Sequence, residues 1–397
     1  METKADQIRL SSSAALRFVL ILGVANLFAD MTYEGARSVS GPFLGVLGAS
    51  AAVVGFTAGF GELVGYALRS ITGLVSDKTG KYWAVTIIGY AINMLAVPAL
   101  ALAGNWPLAA GLMVAERTGR AIRKPATAAM LSFAGTQMGS GWAFGLNEAL
   151  DQAGATVGPL IISLVLLRHG DYRAGFAALL IPAVLTIATV LAARHFFPNP
   201  RDLEAAHPIQ TKGFPRSYWL YLLGAACVAA GVADFALIGF HFQKTGSVSA
   251  ALTPVYYSIA MAMGAIGALI FGKWYDRIGL WSVIAAFLIS SFFAPLVFLG
   301  GRWLALAGMV CWGIGMGAQD SLLKSIVAGL IPADRRGTAF GIFDTGFGIA
   351  WFLGSWSMGI LYARSVPGLI AFSVGLQLLS LPIFIFARKF ANDGPRR

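Results

Sequence analysis

Charge is what this 397-residue chain has least of: Asp, Glu, Lys and Arg together make up 12% of it, roughly half the share usual in a soluble domain. A chain so poor in charge cannot cover a water-facing surface, which excludes an ordinary soluble domain. Hydrophobic residues at 57% and a mean hydropathy of +0.72 agree. Cysteine is nearly absent. Cys227 and Cys311 lie in apolar stretches without metal-type spacing, which excludes a disulfide framework and a thiolate metal site. The four histidines, His169, His195, His207 and His241, show no ligand spacing either. No Gly-x-x-x-x-Gly-Lys-[Ser/Thr] loop occurs, so ATP drive within the chain is not expected. A nucleophile spaced with a base is also missing, so no enzyme and no cofactor are expected. Polar sequence is scarce as well. Met1 to Ser13 is polar without a cleavable signal pattern, and only residues 198–216 form a long polar stretch, broken by Pro198, Pro200, Pro208 and Pro215.

What the chain does have is apolar runs, each long enough to cross a ~30 Å hydrocarbon core as a helix. The expected spans are 14–36, 48–75, 81–104, 107–131, 141–167 and 173–196, then 217–240, 249–274, 279–300, 303–331, 337–363 and 366–389. The fold class that follows is an all-α membrane protein of twelve transmembrane helices. Residues 1–197 form one six-helix bundle, 198–216 a cytoplasmic linker and 217–397 a second, pseudo-symmetric bundle. The 48 glycines suit close helix crossings in lipid. The net charge of +11 sits in short connections rather than in one patch, which argues for membrane orientation and against nucleic acid. Basic termini and basic even-to-odd connections put both termini in the cytoplasm. The expected setting is the cell inner (plasma) membrane, with a monomer meeting the lipid bilayer and a small-molecule or ion substrate.

The two halves repeat each other. Gly73-Leu-Val-Ser-Asp77-Lys-Thr-Gly80-Lys81 after the second span matches Gly272-Lys-Trp-Tyr-Asp276-Arg277-Ile-Gly279 after the eighth, half a chain length away. Val24-Ala-Asn-Leu-Phe-Ala-Asp30 in the first span matches Val228-Ala-Ala-Gly-Val-Ala-Asp234 in the seventh. Ala143-Phe-Gly145 matches Ala339-Phe-Gly341, a register that sets Glu148 on Asp344 and Gly158 on Gly354. Duplicated membrane halves imply a secondary transporter whose site lies between the copies.

With these residues in place the chain resembles the major facilitator superfamily over essentially its whole length. The Gly73–Lys81 stretch is similar to that family's loop after helix 2, with a fainter copy at Gly272–Gly279. Gly145, Gly154 and Gly158-Pro159 are similar to the helix 5 pattern of its exporter, or drug/proton antiporter-like, branch, although Ile161-Ile162 stands where the family has further glycines. The helix 4 run from Glu116 to Pro125, with Asp151-x-x-Gly154, resembles a group of exporters that includes nickel and drug efflux permeases. The resemblance implies alternating access, with helices 1 and 7 flanking a central cavity. It also implies a cytoplasmic latch in which Asp77, with Gly73, Gly80 and Lys81, faces the start of helix 11, where Arg335 and Arg336 add attraction; Asp276 and Arg277 mark the second copy.

Ionisable groups inside spans cost several kcal/mol unless paired or hydrated, so each is a functional candidate. Asp30 and Glu34 lie one turn apart, and Arg37, one turn beyond, is placed to neutralise Glu34 near the outer surface. Asp30 and Asp234 either face each other across the cavity as a proton-exchanging or cation-binding pair, or cap polar helix contacts. Glu116 is placed to pair with Arg120, which leaves Arg117 and Arg123 seeking Glu148 and Asp151. That network is either structural or a proton switch. Asp320 and Lys324 are placed to pair along helix 10, and Asp344 is on helix 11; a buried lysine would instead suit an anionic substrate. Trp142, Trp312, Trp351 and Trp356 are candidates for a pocket lining.

The expected activity is proton-coupled efflux of a small hydrophobic or cationic molecule, with H+ as the coupling ion carried by Asp30, Glu34, Glu148, Asp151, Asp234 or Asp344. Two alternatives stay open. One is divalent metal efflux with Asp30 and Asp234 as ligands. The other is proton-coupled organic-anion transport with Arg117, Arg120, Arg123 or Lys324 as receptor.

Overall fold

In the computed structural model, which describes residues 12–138, 140–198, 214–323, 326–327 and 336–392, every regular element among the described residues is helical. The first half of the chain gives α1 (Ser12–Val46), α2 (Ala51–Thr79), α3 (Tyr82–Ala99), α4 (Trp106–Met138), α5 (Ser140–His169), α6 (Tyr172–Ala178) and α7 (Leu180–Phe196). The second half gives α8 (Arg216–Gly231), α9 (Phe235–Thr245), α10 (Leu252–Ile278), α11 (Leu280–Ser291), α12 (Phe293–Leu299), α13 (Arg302–Ala318), α14 (Arg336–Arg364) and α15 (Val366–Asn392). A π-helical turn, Gln319–Leu323, continues α13.

Helices are the outcome the apolar runs demand, because lipid offers no partner for a backbone N–H or C=O. The pairs α6–α7, α8–α9 and α11–α12 each make up one expected span, so twelve spans are present among the described residues. Nine of these are long and apolar enough to cross a membrane. The other three are α4, α13 with its π turn, and α14. The duplicated loops close alike: Gly80 (φ +66) ends α2 and Gly279 (φ +59) ends α10, both in backbone conformations that favour glycine.

Contacts divide the chain into two units, residues 1–36 with 64–207, and 37–63 with 208–397. In the first, α3 packs on α4 and α7, α4 on α5, and α5 on α6. Glycine sets the closest crossings. A Cβ on Gly89 would strike the Arg123 backbone and one on Gly119 the Asn93 backbone, so α3 and α4 meet where their polar residues lie. A Cβ on Gly154 or Gly158 would strike the carbonyls of Leu27 or Met31, which locks α5 onto α1. In the second unit α8 packs on α14 and α15, α10 on α13, and α11 on α13 and α15. There Gly354 meets the Ala230 carbonyl as Gly154 meets that of Leu27. Residues 37–63 join this second unit through the same kind of approach, with Gly41 against Ala236, and Gly55 against Ser355.

Two expectations about the spans are corrected. The first helix does not stop near 36 but runs on to Val46. Arg37 is therefore inside a helix, with carboxylate partners that make its burial tolerable. The seventh span is not continuous: α8 ends at Gly231 and α9 begins after Asp234. Two carbonyls at this break accept from side chains. Gly231 O accepts from Ser373 Oγ at 2.6 Å and Gln377 Nε2 at 3.3 Å, and Ala233 O accepts from Trp312 Nε1 at 2.9 Å.

Candidate functional site

Helical periodicity puts Asn26, Asp30 and Tyr33 on one face of α1 and Arg120, Arg123 and Lys124 on one face of α4. With Asn147, Glu148 and Asp151 of α5 they line a cavity of about 140 Å3 within the first unit. At roughly 30 Å3 for a water, it holds a handful of waters. It is well below the ~300–1,000 Å3 of a drug-sized pocket.

Arg123 is the hub of this site and is only 4% exposed. Its Nη2 lies 4.0 Å from Asp30 Oδ1. Nη1 donates to Asn26 Oδ1 and to the Tyr90 hydroxyl, both at 3.1 Å, and Nε donates to Asn93 Oδ1 at 3.4 Å. The guanidinium stands 4.4 Å from the Tyr90 ring centre, a cation–π approach. Arg120 sits 4.3 Å over the Tyr33 ring and 4.0 Å from Glu34 Oε1. Asn93 also donates to Glu116 Oε1 at 2.8 Å, and Glu116 pairs with Arg117 at 3.3 Å.

On the α5 side, Asn26 Nδ2 donates to Asn147 Oδ1 at 2.8 Å, and Asn147 Nδ2 to Asp151 Oδ2 at 3.4 Å. Asp151 Oδ1 is buried with no hydrogen-bond partner among the described residues. Glu148 is exposed and accepts from Gln152 at 3.0 Å.

The structure thus brings Asp30, Glu148, Asp151, Arg120 and Arg123 together, with different pairings from those expected. Arg123 takes Asp30 as its close carboxylate, because α3 and α4 cross tightly and aim it at α1. Glu116 engages Arg117 and Asn93, while Arg120 reaches Glu34. Arg37 is turned away from a surface role and holds Glu62 Oε1 at 3.2 Å and Asp234 Oδ2 at 3.0 Å.

Asp234 has both oxygens engaged, since Oδ1 caps α9 by accepting from Ala236 N at 3.0 Å. Among the described residues no group of three His, Cys, Asp or Glu is arranged to hold a metal. Asp344 sits half-buried on α14. His241 is buried on α9, 2.9 Å from the Tyr362 hydroxyl.

Several expected residues fall outside the described part of the structure. These are the side chains of Asp77, Asp276, Asp320, Arg336 and Trp142, all of Lys324 and Arg335, and the packing of Gly145. Gly73 lies in α2 beside Pro125 of α4, whereas Lys81 and Arg277 are exposed at the duplicated loops. Pro159 is within α5. Of the tryptophans, Trp312 bonds a backbone carbonyl, Trp351 is buried and Trp356 is 40% exposed.

Sequence reasoning missed the amides and phenols: Asn26, Asn93, Asn147, Tyr33 and Tyr90. A signal was available. Asn26 precedes Asp30, and Asn147 precedes Asp151, by one helical turn each, and an amide in an apolar span is as much in need of a partner as a charge.

Residues 20–355 match the family model described as Major Facilitator Superfamily. An uncharacterized protein of Mycobacterium tuberculosis is 35% identical over 390 residues, covering 96% of this chain and 95% of that protein. An uncharacterized MFS-type transporter of Methanocaldococcus jannaschii is 25% identical over 382 residues, covering 93% of this chain and 94% of the relative. The crystal structure of a D-xylose-proton symporter is similar in fold, with a TM-score of 0.70 at 14% identity over 96% of this chain and 98% of that chain.

Proposed function

The chain belongs to the major facilitator superfamily and is a multi-pass membrane transporter, and from that premise we propose that it is a proton-coupled exporter of a small hydrophobic or cationic molecule. One observation carries the reading: Asp30 and Asp151 share a small cavity with Arg123 inside membrane helices. An ionised Asp30 holds the guanidinium, and a proton on that carboxylate releases it. Two unit charges 4 Å apart attract by about 4 kcal/mol at an effective dielectric constant near 20. Gaining or losing that much biases a two-state equilibrium by roughly a thousandfold, the larger part of the ~10⁴-fold that a switch from 1:99 to 99:1 takes.

The cavity's size supports a division of labour. About 140 Å3 suits protons and water, so the organic substrate binds elsewhere and coupling runs through conformation. Outward direction is supported by the Gly154 and Gly158-Pro159 pattern of α5, which resembles the exporter branch and rests on the α1 backbone beside Asp30. The D-xylose-proton symporter is by its title driven by protons, which supports the coupling ion and leaves direction open. The same reading has a monomer in the inner membrane with cytoplasmic termini. Organic-anion transport is the second reading, in which Arg120, Arg123 and Lys124 on one wall of the cavity receive the anionic group alone while the rest of the substrate lies outside it.

The test is transport of a panel of cationic, neutral and anionic compounds in proteoliposomes under an imposed pH gradient. Gradient-driven movement of a cationic or neutral compound that is lost in Asp30→Asn is expected. Transport indifferent to both the gradient and Asp30→Asn would overturn the proton coupling, and a preference for anions would favour the second reading.

A further inference from the structure

Arg123, Asn26, Asn147 and Asp151 form a chain in which every link has a fixed polarity. The guanidinium and the Tyr90 hydroxyl both donate to Asn26 Oδ1. Flipping that amide would turn an NH2 toward a guanidinium that can only donate, so Asn26 keeps its Nδ2 toward Asn147. Accepting there with Oδ1, Asn147 has only its Nδ2 to offer Asp151. The chain therefore runs donor to acceptor without reversal from a cation on α4 to a carboxylate on α5, with two neutral amides between.

We propose that Arg123 serves two carboxylates, Asp30 directly and Asp151 through the Asn26–Asn147 amide bridge, so that neutralising one strengthens its hold on the other. The inference rests on the proton-coupling reading above and names Asn26 and Asn147 as positioning residues for it. Linked hydrogen bonds polarise one another, most of all with a charge at each end. While Asp30 is ionised, it takes up much of the guanidinium's field. Once Asp30 carries a proton, that field is directed along the bridge and favours an anion at Asp151. A protonated Asp151 carries its proton on Oδ1, the oxygen without a partner among the described residues, and Oδ2 then accepts from Asn147 as a neutral, weaker acceptor. The two sites then ionise in alternation.

Other groups face these carboxylates. They are Tyr33 and Glu34 from α1, Arg120 and Lys124 from α4, and Glu148 from α5, with Tyr90 from α3; Asp30 also acts on Asp151 directly through space, as Arg123 does on both. None of them is altered by a substitution at Asn147, so such a substitution isolates the bridge.

The experiment is a pH titration of the full-length protein in proteoliposomes, followed by infrared difference spectroscopy of the protonated-carboxyl carbonyl stretch. Asp30→Asn and Asp151→Asn assign the two bands. Removing the Asp30 charge is expected to shift the Asp151 midpoint; the direct Coulomb part of that shift survives in Asn147→Leu, and the part carried by the bridge is expected to vanish there and to return in part in Asn147→Gln. Asn147→Ala, which adds no bulk, gives the same reading if the leucine variant does not fold. An equal shift with and without the bridge overturns the inference, as does a wild-type background in which Asp30→Asn leaves Asp151 unmoved. If neither band titrates, proton coupling falls and the bridge with it. If both titrate and the Asn147 variants change nothing, only the bridge falls.

Discussion

Arg37 Nη2 lies 3.0 Å from Asp234 Oδ2, and the same nitrogen lies 3.2 Å from Glu62 Oε1, so one largely buried guanidinium holds two buried carboxylates. The trio carries one negative charge in excess, and this decides how its members respond to substitution. Arg37→Met takes a shared cation from two buried carboxylates and is expected to cost about 3–5 kcal/mol. Asp234→Asn leaves a balanced Arg37–Glu62 pair and keeps an N-cap for α9, since asparagine caps as well as aspartate; the expected loss is below about 1 kcal/mol. Asp234→Ala loses the cap too and falls between them. Thermal unfolding of the purified variants in detergent gives the order, and an Asp234→Asn variant as unstable as Arg37→Met would refute it.

Glycines at the α1–α5 contact should respond oppositely to one in open space. Gly158→Ala forces a methyl onto the Met31 carbonyl and is expected to destabilise by roughly 1–3 kcal/mol. A Cβ on Gly111 of α4 meets nothing within 4 Å, so Gly111→Ala should be neutral or stabilising by up to about 1 kcal/mol. Unfolding midpoints of the two variants compare the effects directly.

Arg123→Lys keeps the charge and loses the fork. A lysine ammonium cannot hold Asn26, Tyr90 and Asn93 in the plane that the guanidinium spans. Initial rates in proteoliposomes are expected to fall at least about tenfold, a transition-state loss of about 1.4 kcal/mol, while the folded yield holds. A lysine variant with wild-type rates would reduce Arg123 to a point charge.

The break between α8 and α9 makes a graded prediction. Trp312→Phe removes the only donor the described residues give Ala233 O and is expected to cost about 1–3 kcal/mol. Gln377→Leu should cost less, because Gly231 O keeps Ser373 Oγ at 2.6 Å. Thermal unfolding of both variants ranks them.

The spans and their duplication were legible because lipid imposes a coarse rule, that apolar runs of sufficient length become helices, and a repeated glycine turn marks the same corner twice. Gly80 and Gly279 bear this out in their backbone angles. That an ionised group in a span must find company was legible too, but not the grouping: the sequence matched Asp30 with Asp234, while Arg123 lies by Asp30 and Arg37 holds Asp234. Nor was it legible who pairs with whom. Spacing along one helix favours Glu116–Arg120 and Glu34–Arg37 but says nothing of Arg120–Glu34, Arg123–Asp30 or Arg37–Asp234, which depend on crossings between helices, such as Gly89 and Gly119 bringing α3 onto α4. The break before Asp234 left no proline to announce it. It depends on Trp312, Ser373 and Gln377, side chains distant in sequence that donate to two carbonyls there.

Helix α4 carries Glu116, Arg117, Arg120, Arg123 and Lys124 between positions 116 and 124, and that crowding has a consequence for how the protein is made. At about 2.5–3.5 kcal/mol for each Arg or Lys near a helix centre, α4 gains nothing by leaving the translocon alone. The partners that make its entry tolerable are encoded on both sides of it. Asn26 and Asp30 on α1, and Tyr90 and Asn93 on α3, have emerged from the ribosome before Arg123 does, whereas Asn147 arrives afterwards. The order of synthesis therefore suits an assembly in which α1 and α3 receive α4 and α5 closes over the charges last.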